Sequence, residues 1–385
     1  HIDNLFKMYN IIENSDINLT SKLSNILDVS NTYRGPLTYL FSSIFLKLFG
    51  KSYTTVFLSN NIFNFLCILS MYKICEIYNQ KKVGIWSTII FTFSPFIFIQ
   101  RTDYLLDLSL TAFSMLFFAM LTLWFNCKKN FSKYSFISGI SLGLLFLVKP
   151  TGIVIFTIPI IFNFIKILGR NNKFIFFKEF LSFCLTFILI LIPWFSRHWI
   201  TILSSISNAW NWGIKYQDGL EANSIESWFY YFKIIPLYIG YPLFIFILIL
   251  FVSKILNFKQ NKKILIIFSK SKHIWFFSLL LNSYLILSLM STKDPRFLLP
   301  IYPIICIYLS ILINQFNKNN LINHTKKIII IILLMISFIS KIEFDKSLKL
   351  SNKILNYYDN WPHQELIKTI YNENQKINQT LAVLP

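Results

Sequence analysis

Asn31-Thr32-Tyr33-Arg34-Gly35-Pro36-Leu37-Thr38-Tyr39-Leu40-Phe41-Ser42-Ser43-Ile44-Phe45-Leu46-Lys47-Leu48-Phe49-Gly50 is the stretch around which the rest of the chain can be read. It holds one arginine, Arg34, at a Gly-Pro corner, followed by an apolar segment of about four helical turns. That segment is too short to cross a bilayer, which needs roughly 20 residues, so it reads as a helix lying on the membrane. A cation held at a turn and backed by such a helix suits a charged lipid head group. The plainer reading is an amphipathic surface helix with a solvated arginine. The placement of the other charged residues decides between the two.

Of 385 residues, 55% are hydrophobic and only 14% charged, against about 25% charged in soluble domains. Apolar runs of helical length recur along the whole chain, which predicts an all-α polytopic membrane protein. The net charge of +20 is therefore read as topology and attraction to anionic membrane lipids, and no nucleic acid is expected as a partner. The five cysteines lie in or beside apolar runs with neither metal nor disulfide spacing. The chain opens on His1 and stops just after Leu381-Ala382-Val383-Leu384, so missing structure is expected at both ends.

Hydrophobic runs predict about ten membrane helices near 53–78, 83–99, 104–126, 135–149, 151–167, 176–195, 235–257, 272–291, 296–314 and 326–341. Three regions follow: a first outer loop with juxtamembrane helices over 1–52, a helix bundle over 53–341, and the start of a truncated C-terminal outer domain over 342–385. A long polar loop, rich in Trp199, Trp210, Trp212, Trp228, Tyr230 and Tyr231, is expected over 196–234. Alternate connections then sort by charge. The short loops 79–82, 127–134, 166–178, 254–272 and 315–327 carry eighteen Lys/Arg and no Asp or Glu. The other set carries seventeen spread over far more residues, with most of the acids. By the positive-inside rule the first set is cytoplasmic and the second faces outward.

The chemically useful residues then fall on the outer side. Asp3 stands before a helical pattern, as an N-terminal cap or as a general base that takes a proton from an attacking hydroxyl. Arg34, Lys293 and Arg296 are candidate phosphate binders, since a leaving phosphate gains charge and Arg offers a planar fork to hold it; Arg296 also reads as a snorkelling interfacial cation. Asp103 and Asp107 are four apart, on one helical face, where they pair with Arg101 or another cavity cation, or touch substrate. Lys149-Pro150 is a tight outer turn that lines the same cavity or merely closes it. An acid inside a membrane span costs roughly 2.5–3.5 kcal/mol near the centre, so such groups face a polar cavity. His198 has no partner at metal-ligand spacing, and no metal site is predicted, although a divalent metal stays open. Phosphate-loop and dinucleotide motifs are absent, which argues against a nucleotide-driven cytoplasmic enzyme.

Tyr33-Arg34-Gly35-Pro36-Leu37, with Phe49-Gly50 after it, resembles the (Lys/Arg)-Pro-Pro-Leu…Phe-Gly signature of GT-C membrane glycosyltransferases. The nearest branch by motif looks like glycosyltransferase family 39, the aminoarabinose-transferase and protein-mannosyltransferase-like proteins. Arg101–Leu110, Gly143–Pro150, Pro193-Trp194-Phe195 and Lys293–Pro303 follow in the family's order. The chain departs from the pattern at Asn4, where the family has a second acid, and at Gly35, where it has a proline. The resemblance implies a GT-C-type bundle and transfer of a sugar from a polyprenyl-phosphate donor to an acceptor hydroxyl on a lipid, glycan or protein. It also implies Asp3 as base, Arg34, Lys293 and Arg296 on the phosphate, and a plasma (inner) membrane location with the site facing the periplasm or outside. The alternatives are a transporter or flippase of lipid-linked sugars, and a catalytically inactive GT-C relative.

Overall fold

Helix α7, Leu106–Asn126, is the axis of the bundle, with 83% of its most apolar window buried inside the protein. The computed structural model describes residues 1–16, 18–29, 34–127, 133–169, 173–216, 224–256, 271–315 and 328–339. Among the described residues every regular element is helical, with no strand. Three helices precede the bundle: α1 (Ile2–Glu13), α2 (Leu19–Asp28) and α3 (Leu37–Phe49). The bundle itself runs through α4 (Tyr53–Ile77), α5 (Lys81–Thr92), α6 (Pro95–Thr102), α7, α8 (Lys133–Val148), α9 (Thr157–Leu168) and α10 (Lys173–Tyr216). It continues with α11 (Ile225–Ile239), α12 (Tyr241–Leu256), α13 (Ser271–Leu289) and α14 (Tyr302–Gln315), then α15 (Ile328–Ile339). Two 3-10 helices, Pro150–Phe156 and Pro295–Ile301, sit before α9 and α14.

By length and composition five of the described helices can cross a membrane, or seven if each bent pair is one span, and four shorter apolar helices accompany them; the expected count of about ten is not confirmed. The predicted 83–99 segment is two helices bent by 60°. Pro95 opens α6, and a proline at a first helical position cannot continue the helix before it. The 235–257 segment likewise divides, bent by 108° between α11 and α12 at Gly240. That glycine has φ +92°, a left-handed value that L side chains avoid. The expected 196–234 loop is instead helical through Tyr216 and again from Ile225. α10 passes through Pro193 without stopping, as membrane helices can when neighbours satisfy the freed carbonyl. The tail 342–385 lies outside the described residues.

Close approach of α8 to α10 explains the small residues on α8. Ser135, Gly139 and Gly143 recur every four residues, one stripe of the helix, as in small-residue membrane interfaces. A Cβ at Gly139 would stand 1.9 Å from Thr186 Oγ1 and 2.4 Å from the Phe183 carbonyl oxygen. Gly139→Leu is therefore expected to separate the pair and leave little monodisperse protein, read by fluorescence size-exclusion chromatography. Phe136 of the same helix is exposed, so Phe136→Leu should leave the elution profile unchanged. On the other side of α7 the phenylalanine content becomes a ladder. Trp275 of α13 stacks on Phe118 and Phe125, with centroids 5.5 and 4.1 Å away, and its Nε1 donates to Thr122 Oγ1 at 2.9 Å. α10 is the opposite case: only 17% of its most apolar window is buried, so the described residues leave most of this apolar helix uncovered, as suits a lipid-facing span.

Candidate active site

Asp107 is the centre of the site because α7 begins one residue before it. An acid in a first helical turn is favoured by the helix dipole, and here the carboxyl also faces two cations. Its Oδ1 lies 3.8 Å from Lys149 Nζ and its Oδ2 3.9 Å from Arg296 Nη1. Asp107 is 8% exposed, so these charge contacts act in a low-dielectric setting where they are screened little by salt. Its backbone carbonyl accepts from Thr111 Oγ1 at 2.7 Å.

Each cation reaches Asp107 from a 3-10 helix. Lys149 is the N-cap of Pro150–Phe156, in extended conformation, and its ammonium lies 5.7 Å from the Phe297 ring centre. Arg296 is the second residue of Pro295–Ile301, whose N-cap Asp294 accepts from the Arg296 amide at 2.8 Å. The same carboxylate takes Arg296 Nε at 3.0 Å on each oxygen, so the guanidinium plane is fixed. Burial pushes the Asp294 carboxyl up, but the Arg296 hydrogen bonds outweigh it and hold it below its ordinary value. Behind this turn Tyr238 Oη donates to the Pro295 carbonyl at 2.5 Å, and Tyr302 Oη donates to Ser94 Oγ at 2.9 Å.

Lys293 is half-buried next to them. Its Nζ donates to the carbonyls of Leu287 at 2.7 Å and Ser288 at 2.8 Å, over the Tyr231 ring. Burial lowers its pKa to about 8.

Arg34 is brought to the same end of the bundle by the backbone. The Gly35 amide donates to the Val148 carbonyl at 3.1 Å, directly before Lys149, and a Cβ on Gly35 would lie 1.8 Å from the Leu147 carbonyl oxygen. α2 is tied down on the preceding side. Arg197 Nη1 donates to Asp28 Oδ2 at 2.6 Å and Ser24 Oγ at 2.9 Å, and His198 Nε2 lies 3.0 Å from the Leu27 carbonyl. Residues 31–33 of the corner lie outside the described residues.

The predicted residues therefore separate into a joined group and outliers. Asp107, Lys149 and Arg296 meet, and Asp103 lies within electrostatic reach of Arg296. Arg101 turns away: its Nη2 donates to the Thr92 carbonyl at 3.4 Å and its guanidinium lies over Phe98. Asp107 thus pairs with Lys149 and Arg296 rather than with Arg101, because Asp103 and Arg101 are held by the α6 end, where Asn60 Nδ2 donates to both of their carbonyls. Asp3 is exposed in the first turn of α1, and no described hydrogen bond or ion pair joins it to Asp107. α1 nevertheless packs its Leu5 and Met8 into one cluster with Tyr104 and Leu106, the residues flanking Asp103 and Asp107. The Tyr238, Tyr302 and Ser94 ties, and the Arg197–Asp28 clasp, were not visible as spacing. Among the described residues no three His, Cys, Asp or Glu side chains gather to hold a metal.

The family model described as the Alg9-like mannosyltransferase family matches residues 30–384. The chain belongs to that family. Alg9-like mannosyltransferases are a branch of the GT-C membrane glycosyltransferases, beside the family 39 that the motifs suggested. The fold is similar to that of ArnT from Cupriavidus metallidurans, in a crystal structure bound to undecaprenyl phosphate, at 12% identity and TM-score 0.54, over 81% of this chain and 56% of that one. The apo ArnT structure matches at 13% identity and the same TM-score, over 81% and 54%. The chain thus spans little more than half the length of these proteins. No curated protein sequence matches significantly. This Alg9-like protein is a multi-pass membrane protein with a GT-C fold.

Proposed function

We propose that the protein transfers a sugar from a polyprenyl-phosphate donor to an acceptor hydroxyl at the outer face of the plasma membrane. The observation that carries this reading is the meeting of Lys149 and Arg296 at Asp107, with Arg296 also held by Asp294, at one end of the bundle; Lys293 directly precedes Asp294 in the same turn. The donor lipid lies along the helices and its phosphate meets Arg34, Arg296 and Lys293. The acceptor hydroxyl oxygen attacks the anomeric carbon while the sugar–phosphate C–O bond breaks. The hydroxyl proton passes to the Asp3 carboxylate, and the bond pair leaves on the polyprenyl phosphate. Asp107, engaged by two cations, holds them in place rather than taking the proton. The alternation along the sequence of Lys/Arg-dense connections with acid-bearing ones supports an outward-facing site. ArnT, of similar fold, has been seen with undecaprenyl phosphate, which supports a lipid-phosphate donor here.

A donor screen with the full-length protein in proteoliposomes tests this, setting polyprenyl-phosphate mannose against nucleotide mannose. Turnover is expected with the lipid donor alone. Asp3→Asn is expected to abolish it at unchanged expression, and full activity in that variant would remove Asp3 from the role of base. No transfer from any lipid-phosphate sugar would return the protein to the transporter or inactive-relative readings.

Lys293 makes the pH dependence specific. With its pKa lowered to about 8, its ammonium is present below that pH and lost above it. Donor KM is expected to climb as pH rises through 8, by up to roughly tenfold by pH 9 as the charged fraction falls. The stability contribution of this group has the opposite sign. Between about 8 and the ordinary lysine pKa the unfolded chain binds more protons, so its contribution to folding improves as pH rises. Lys293→Arg keeps the charge at all these pH values and should flatten the KM curve. A wild-type KM that is level from pH 7 to 9 would remove Lys293 from the phosphate.

A further inference from the structure

A recess with a basic lining lies at the opposite end of the bundle. α14 starts at Tyr302 beside the Arg296 turn and carries the chain about 18 Å along its axis to Asn314. There a recess of about 520 Å³ opens between the end of α14 and the turn joining α4 to α5. That is a size at which ligands are held, about 300–1,000 Å³. Its polar lining is Asn79, Gln80, Lys81, Lys82 and Asn314, and Val83 with Ile311 supplies the apolar part.

Every charged group on that lining is a cation. Lys82 is exposed and has no ion-pair partner among the described residues. Lys81 lies 3.6 Å from Glu76 Oε1, but that carboxylate is also held by Lys73 at 2.8 Å, so two ammonium groups share one acid. The first amide of α5 bonded within the helix is that of Gly84, to the Gln80 carbonyl, and Gln80 makes no side-chain cap. The amides of Lys81, Lys82 and Val83, residues that line the recess, thus have no acceptor within the helix. The three carboxamides add further N–H donors. Donors and positive charge on a concave surface at the membrane edge fit an anion with several acceptor oxygens. The 79–82 turn on the recess is one of the connections that the charge pattern of the sequence assigns to the cytoplasmic side, where anionic lipids gather.

We propose that this recess binds a phosphate group, carried by an anionic phospholipid headgroup or free in solution. It is separate from the transfer site and does not depend on the sugar donor being right. Delipidated full-length protein provides the test, with phosphatidylglycerol, phosphatidylcholine and inorganic phosphate as probes, read by native mass spectrometry and thermal melting. Roughly tenfold preferential retention of phosphatidylglycerol over phosphatidylcholine is expected, two lysines near the anion sufficing for that ratio. The preference should vanish in K81A/K82A and in K81Q/K82Q, which keeps side-chain length, and persist in K173A/K178A, which alters lysines of α10 outside the recess. Stabilisation by inorganic phosphate that is lost in K81A/K82A assigns a soluble source; stabilisation by phosphatidylglycerol alone assigns the lipid. No selectivity among the three probes, or equal loss in K173A/K178A, overturns the site.

Discussion

Arg296→Ala is expected to lower turnover of a polyprenyl-phosphate sugar by roughly 10²–10³-fold, the loss seen when one preorganised donor to a developing anion is removed. The guanidinium is held on two sides, by both oxygens of Asp294 and by Asp107, so on the proposed reading it meets a leaving phosphate without reorganising. Removing it also leaves Asp294 and Asp107 facing the place where negative charge collects. Repulsion then adds to the lost attraction. Arg296→Lys restores the charge but not the planar fork, and should recover only part of the rate. Asp294→Ala separates positioning from contact: the cation stays but its plane is released, so kcat should fall about tenfold with donor KM nearly unchanged. The measurement is steady-state transfer in proteoliposomes with donor varied at fixed acceptor. Wild-type kcat in Arg296→Ala would show that this guanidinium meets no charge that grows during transfer.

The path from sequence to this site was uneven, for identifiable reasons. Spans such as α4 and α7 were legible because an apolar run long enough to cross a bilayer has few other fates. Asp107 was legible as a misfit, a charge kept inside a membrane helix, and Lys149 as part of a tight outer turn. Their pairing was not. Arg101 stood close in sequence to Asp107, yet the α6 end holds it against Thr92 and Phe98, and the true partners arrive from two distant 3-10 turns. Pro95 and Gly240 were present as signals of the bends at α6 and α12, but a hydropathy average smooths over a single proline or glycine. The 196–216 segment misled in the other direction. Its polar composition suits a loop, yet a helix that leaves the membrane can carry polar residues and remain a helix. The hydroxyls of Tyr238, Tyr302 and Ser94 lie in apolar runs and carry no spacing at all, so only the packed bundle reveals that they brace the Pro295 turn.

Gly35→Ala should lower donor kcat/KM about 100-fold, the scale of a misplacement of about 1 Å, although the residue has no functional group. The atoms in the way are backbone: an added Cβ would meet the Leu147 carbonyl oxygen at 1.8 Å, its carbon at 2.3 Å and its Cα at 2.8 Å. None of these is the free end of a side chain, so the corner itself has to lift. The α8 end cannot yield instead, because the Lys149 amide is bonded to the Leu145 carbonyl and its ammonium faces Asp107. Lifting the corner breaks the Gly35–Val148 hydrogen bond and carries Arg34 away from Lys149. Overpacking of this kind costs about 1–3 kcal/mol of stability, which the whole bundle can absorb, so folded protein should still be recovered. Gly35→Pro removes the amide hydrogen as well and should be worse, even though related proteins carry proline in this motif. In this chain the glycine and the close approach of α8 belong together: a proline could neither donate to Val148 nor fit beneath Leu147. Wild-type donor kinetics in Gly35→Ala would mean that Arg34 acts without this contact, and the phosphate would then have to be placed on Arg296 and Lys293 alone.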